Sequence, residues 1–437
     1  MIKKLLIGLS ASIALLSLAV ILFVKPVAPI LSGYSARMAC TCHFVQNKSL
    51  QEIKNTDLSE LYFILSWIDI YEEEKEVTST TFGFHPKTAV YREGQGCILL
   101  EGKDDFNVHF QRPKFVDTFN WRNKELLTEK ESSTLDSLFF HGGMAGEKMT
   151  KAAIILHRDS IIHEKYAEGT DKGTPLLGWS MTKSVTGTLI GMLIEEGVLK
   201  ESQNQLFENW KDERSRITIH DLLNMKSGIE WAEKYDKVST ATQMLFDKED
   251  VVKFASGLGL EAEPGTHFEY SSGTSNLLSG IIRKETFGLN NYLNYPYVKL
   301  FEPLGMSTAF VETDESGNMI GSSFMYASAW DYARYGMLYL NEGKWNGAQV
   351  ISLNQVHQSF ESDPVSKGEY GFHFWHNDGG KLPNSPKDLI YASGYQGQRI
   401  FILPEEELIV VRLGLRMIDF DEIISTIVQY LNEDEEE

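Results

Sequence analysis

The chain has 437 residues, 42% of them hydrophobic, which is enough to bury one large core or two smaller ones. Its 41 Lys and Arg against 61 Asp and Glu give a formal charge of -20, which repels phosphate backbones and anionic lipid headgroups alike. Nucleic acid is therefore not an expected partner, and the acidic run at residues 433–437 reads as a solvated tail.

Lys3 and Lys4 precede an uncharged, nearly unbroken apolar stretch at residues 5–24, which Lys25 and Pro26 close. About 20 apolar residues match the hydrocarbon thickness of a bilayer, and the leading lysines favour a cytoplasmic N-terminus with the body outside. The length favours a membrane anchor. The competing reading is a cleaved signal peptide, with the small residues Gly33, Ser35 and Ala36 near a cleavage site. Export admits disulfides, and three cysteines allow at most one bridge. Cys40 and Cys42 are too close in sequence to bridge without strain, so Cys40–Cys97 is the expected pair. A zinc site would need a second cysteine pair or a histidine at metal spacing, and no metal is expected.

Residues 35–145 mix short apolar runs with charged clusters and carry no motif, so they read as a region packed on a catalytic domain at 146–432, behind a leader at 1–34. Residues 152–156, a turn at Arg158-Asp159, and a second half ending at Gly169 read as a β-hairpin. His157 and His163 beside that turn read as solvated strand positions. Next, Gly178-Trp179-Ser180-Met181-Thr182-Lys183 opens a helix that is apolar on most sides and therefore belongs in a core, with Gly197 as its stop. A short helix at residues 218–223, a turn at Ser227-Gly228 and a helical face from Leu277 to Ile282 follow. Residues 399–403 and 407–411 form a strand pair around Pro404, and residues 423–431 a last helix. Strands at both ends with helices between predict an antiparallel sheet with a helical insertion.

Ser180 and Lys183 lie three apart on one helical face, so the amine can reach the hydroxyl. If burial depresses its pKa, Lys183 can take the serine proton as attack begins. At the helix start, unpaired N–H groups also favour developing negative charge. An ordinary surface pair would satisfy the same spacing. Two facts favour chemistry: this is the chain's only Ser-x-x-Lys, and it opens an unusually apolar helix after an aromatic residue.

Several segments together, from about residue 150 to 415, resemble the serine hydrolases related to class C β-lactamases. They are Leu177-Gly178-Trp179-Ser180-Met181-Thr182-Lys183, the run from His220 to Gly228, Pro264-Gly265-Thr266-His267-Phe268-Glu269-Tyr270-Ser271-Ser272, Leu304-Gly305-Met306, and the run from Asp331 to Gly336. Within that group the chain is most similar to the aminohexanoate-oligomer hydrolase and esterase branch. The resemblance implies an α/β sandwich of an antiparallel sheet flanked by helices, with a helical subdomain. It also implies an acyl-enzyme on Ser180 with Lys183 as base, Tyr270 as proton relay, and no cofactor. Ser272 stands where the family's Tyr-x-Asn motif has Asn. Ala392-Ser393-Gly394, followed by Tyr395, is the best-placed equivalent of the third motif. There the backbone N–H of Tyr395 would join that of Ser180 in an oxyanion hole, with Ser272, Ser393, Gly394 and Trp375 toward the substrate. No cation occupies the third motif's first place. The expected substrate is a small ester or amide. The rival readings are a peptidoglycan-directed D-amino-acid peptidase and a non-catalytic binding or sensor protein of the same fold.

Overall fold

The computed structural model describes residues 24–100, 110–115, 122–123, 126–140 and 149–436. Apart from Val24, the apolar segment at residues 5–24 lies outside them. Among the described residues no helix is long and apolar enough to cross a membrane.

The scaffold is an eight-stranded sheet. In chain order its strands are β5 (Arg122–Asn123), β6 (Thr150–His157), β7 (Ser160–Tyr166), β8 (Tyr370–Gly371), β9 (Phe374–His376), β10 (Ile390–Gly394), β11 (Gln398–Leu403) and β12 (Leu408–Gly414). They lie in the order β8-β9-β10-β11-β12-β6-β7-β5. Every pairing is antiparallel except the short β5–β7 contact. The N- and C-terminal strand pairs therefore meet at the centre, where β12 joins β6. All seven residues of β12 are buried, which explains a continuous Leu-Ile-Val-Val run where a half-exposed strand would alternate.

Helices cover both faces. Ile154, Ile400, Ile409 and Val411 face the helices Met181–Glu195 and Ala329–Leu340 within the larger core. Ile155, Tyr391, Phe401 and Val410 face the other way, onto Glu129–Phe140 and the C-terminal helix Phe420–Glu436. That last helix runs through the acidic residues read as a tail, as far as Glu436. The reading of His157 and His163 as solvated is overturned, for His163 by the helix at 129–140. Both are buried, and His163 stacks on Phe139 and sits 3.4 Å from Asp136. The covering helix comes from the stretch that carried no motif, so nothing in the pattern showed that this face was closed.

Residues before the main sheet form a second, four-stranded antiparallel sheet, β1 (Ser66–Tyr71), β2 (Glu76–Thr81), β3 (Phe84–Arg92) and β4 (Gly96–Leu100), packed on the helix Ala28–Phe44, here α1. The boundary drawn at residue 34 cuts through this helix. Gly33, Ser35 and Ala36 are buried inside it, and their small size serves packing: a Cβ at Gly33 would stand 2.1 Å from the Phe246 carbonyl oxygen. Cys40 of α1 is bonded to Cys97 of β4, and Cys42 is free and buried.

α1 is also tied to the catalytic body by charge. Arg37 Nε lies 3.2 Å from Glu312 Oε2, with both side chains almost fully buried, and Arg37 Nη2 donates to the Thr313 carbonyl at 2.7 Å. Glu312 Oε1 accepts from Thr41 Oγ1 and from the Cys97 N–H. Burial pushes the Glu312 carboxyl up to about 7, against the opposing pull of Arg37. Arg37→Met would leave that carboxyl unpaired in a low-dielectric interior, and a loss of about 3–5 kcal/mol is expected from a denaturant titration. A paired Arg37→Met, Glu312→Leu variant should recover much of it. Equal losses in the single and double variants would show that the arginine acts through packing alone.

Candidate active site

Trp179 adopts a left-handed φ of +48°, which is costly for a bulky residue and turns the chain sharply into the helix Met181–Glu195. Ser180 caps that helix. Gly178 is required where it stands, because a Cβ would meet the Tyr332 hydroxyl at 2.3 Å. Thr182 Oγ1 donates to the Trp179 carbonyl and accepts from the Met325 N–H, so the turn is held from both sides.

One turn into the helix, Lys183 is 1% exposed. Its Nζ lies 3.0 Å from Ser180 Oγ, 2.9 Å from Ser272 Oγ and 3.0 Å from the Ser322 carbonyl oxygen. An ammonium would fill all three contacts as donor. A neutral amine can donate to Ser272 and Ser322 and offer its lone pair to the Ser180 proton. Burial lowers the lysine pKa to about 8, with Glu233 pulling it back up. The amine is thus neutral in a useful fraction near neutral pH.

Glu233 was missed from the sequence, where it sits in a loop with no motif. Its Oε1 accepts from Ser272 Oγ at 2.6 Å and from the Tyr235 hydroxyl at 2.7 Å, and its Oε2 accepts from the Ser272 N–H at 2.8 Å and the Trp231 indole. Ser272 is fully buried, and its hydroxyl bridges Lys183 and Glu233. In the structure Ser272 thus meets Lys183 and Glu233, while the expectation placed it toward the substrate. The only sequence hint of Glu233 was its place between two aromatic residues that donate to it.

Tyr270 enters from the loop before the helix Ser272–Glu285, with its ring centroid 4.9 Å from Lys183 Nζ. Burial and the Glu233 charge raise its pKa, while hydrogen bonding with Ser180 and Trp375 pulls the other way. The phenol therefore keeps its proton at neutral pH. Trp375 lies 4.9 Å from the Tyr270 ring and the buried Tyr370 lies 5.7 Å from it, so Tyr270 is held within an aromatic cluster.

The end of β10 closes the opposite side. β9 pairs only with Ile390 and Tyr391, so Ala392, Ser393 and Gly394 have no strand partner on that edge. A Cβ at Gly394 would stand 2.2 Å from the Gly178 carbonyl oxygen, so only glycine permits this approach of the strand end to the turn carrying Ser180. Tyr395 then packs edge-on against Trp179 at 5.6 Å. Ala392 is buried and offers no charge. Ser393 pairs across to Arg399, on the sheet face of Tyr391 and Phe401, and the Arg399 guanidinium donates to the Gly394 and Gln398 carbonyls and lies over Phe420.

A largely antiparallel sheet, with a half-buried serine against a buried lysine at the start of a core helix, defines a class of serine hydrolase. A family model described as Beta-lactamase matches residues 137–419, and the chain belongs to that family of serine hydrolases. It is 24% identical over 299 residues to the 6-aminohexanoate-dimer hydrolase of Paenarthrobacter ureafaciens, covering 61% of this chain and 73% of that protein. Among solved structures it is similar to a Bacillus anthracis protein provisionally described as a 6-aminohexanoate-dimer hydrolase, with a TM-score of 0.61 and 19% identity over 74% of this chain and 90% of the other. It also resembles a penicillin-binding protein homologue from Caulobacter crescentus, with a TM-score of 0.54 and 13% identity over 71% and 99% of the two chains.

Proposed function

We propose that the protein hydrolyses a small ester or amide through an acyl-enzyme on Ser180. The observation that carries this reading is the 3.0 Å contact between Ser180 Oγ and a buried lysine amine, whose pKa burial lowers to about 8. Ser180 Oγ attacks the substrate carbonyl as its proton passes to Lys183 Nζ. The oxyanion is met by the N–H groups of Ser180 and Tyr395, at the start of the helix. As the tetrahedral intermediate collapses, the Tyr270 phenol protonates the leaving group and regains a proton from the lysine side. Water then enters, and the steps run in reverse to release the acid. Glu233, through Ser272, positions the lysine and sets its charge. The body is proposed to lie outside the cytoplasm, anchored through residues 5–24; the Cys40–Cys97 bond supports an oxidising compartment.

The pH profile follows from Lys183. Its pKa is lowered, so the neutral base is absent well below that value and appears as pH rises through it; kcat/KM is expected to climb with an apparent pKa of about 8. Glu233→Gln removes the charge that favours the ammonium form, so the limb should move to lower pH. A limb that stays put in that variant would disconnect Glu233 from the lysine.

Substrate choice follows from Ala392. A β-lactam carries a carboxylate, and with no cation at Ala392, and the nearby Arg399 guanidinium occupied by the Gly394 and Gln398 carbonyls, it forgoes a charge-assisted hydrogen bond of roughly 1.5 to 3 kcal/mol. A chromogenic cephalosporin is therefore expected to be a poor substrate beside a short-chain nitrophenyl ester. The name of the Paenarthrobacter relative makes the 6-aminohexanoate dimer the first amide to try. All assays take Ser180→Ala as the control. Cephalosporin turnover at about 10⁴ M⁻¹s⁻¹ or better would overturn the substrate reading.

A further inference from the structure

Seven of the exposed large hydrophobic side chains among the described residues gather at one end of the small sheet within residues 61–84, and Tyr71 alone of the large hydrophobics in that stretch is exposed at the other end. Leu61 is 78% exposed, Ile64 72% and Trp67 61%, and Tyr62, Leu65, Phe82 and Phe84 are also exposed. They are neighbours in space. The Phe82 N–H donates to the Leu65 carbonyl, Phe84 pairs with Thr81 next to the Ser66 end of β1, and a Cβ at Gly83 would touch the Trp67 ring at 3.3 Å. The exposed carboxylates Glu72, Glu73 and Glu74 lie in the turn at the other end of the β1–β2 hairpin, about 17 Å away at the usual rise per residue. One end of the small sheet is thus aliphatic and aromatic, and the far end is acidic.

From this surface we infer that the 61–84 patch docks on a lipid bilayer. Its mixture of Trp and Tyr with Leu, Ile and Phe suits the boundary between headgroups and acyl chains, where aromatic rings with a polar edge are favoured. The chain itself leads there. The uncharged segment at residues 5–24 is long enough to cross a bilayer and hands over to α1, whose first turns lie beside the patch: Tyr34 stacks on Phe63 at 4.8 Å, and Phe63 touches Tyr62. Docking here rests on the proposed anchoring through this segment: a segment that crosses the bilayer cannot also cover the patch, and it would bring the patch to the membrane surface. The formal charge of -20 rules out attraction to anionic lipid, so insertion is apolar and zwitterionic lipid suffices. Ile30, Leu31, Tyr62, Phe63, Tyr235 and Tyr395 line one cleft, so docking sets the active-site side of the molecule close to the bilayer.

The test uses the full chain reconstituted in phosphatidylcholine vesicles, with an environment-sensitive fluorophore on Ile64→Cys or Phe84→Cys and, as control, on Glu73→Cys in the acidic turn. Brominated lipid should quench the labels at 64 and 84 and leave the label at 73 bright, while aqueous iodide should do the reverse. Adding Ser180→Ala should change nothing, which separates this inference from the catalytic reading. Labels at 64 and 84 that iodide quenches as readily as the one at 73 would overturn it. So would labels shielded from iodide yet untouched by brominated lipid, since a second copy or the chain's own segment would then cover the patch.

Discussion

Ser180→Ala and Lys183→Ala are each expected to abolish acylation, with losses in kcat of about 10⁴-fold or more, as when one member of a nucleophile–base unit is removed. The losses should not add in the double variant, because neither group works without the other. Removing Ser180 deletes the bond-forming atom. Removing Lys183 leaves the serine proton with no acceptor and opens a gap against Ser272 and Ser322, two of the three groups Nζ touches. Thermal denaturation of each variant separates lost chemistry from lost folding. Near-normal rates for Lys183→Ala on an activated ester would remove the lysine from the role of base.

Tyr270→Phe is expected to cut turnover by about 10²-fold or more while leaving the fold intact, since the ring still packs on Trp375 and Tyr370. The effect should depend on the leaving group. A nitrophenolate departs without a proton, so an activated ester should suffer least. An amide needs its nitrogen protonated and should suffer most. Comparing single-turnover rates for the two substrates checks this, and equal losses would point to positioning in place of proton transfer.

The fold was legible where hydrophobic period and turn chemistry agreed. The β6–β7 hairpin, the β11–β12 pair and the helix behind Ser180 stand where apolar runs and glycines put them. The ordered motifs carried the family, because a nucleophile helix and a tyrosine loop must recur at set places for the chemistry to work. The N-terminal third was opaque for a physical reason. α1 is buried on most sides by small residues and a paired arginine, so it shows little amphipathic period to read. Its sheet exposes aromatic residues that a strand reading would place inside. The same opacity hid the helix over His163.

Within the site, Ser180, Lys183 and Tyr270 were readable from spacing and resemblance, and they lie together around one hydroxyl. Glu233 was not, because it reaches Lys183 through the buried Ser272 from a loop 39 residues earlier in the chain. The positive φ of Trp179 was equally invisible, being a property of the turn and not of the residue type. Gly394 approaches the Gly178 carbonyl so closely that no side chain fits there, a constraint of the chain path that residue type alone does not reveal.

The most direct measurement traps the covalent intermediate. Wild-type protein turning over a nitrophenyl ester is quenched in acid, digested, and its peptides are weighed. The acyl group is expected on the peptide containing Ser180 and absent from Ser180→Ala. An acyl group on any other residue, or ester turnover that survives in Ser180→Ala, would contradict the proposed chemistry.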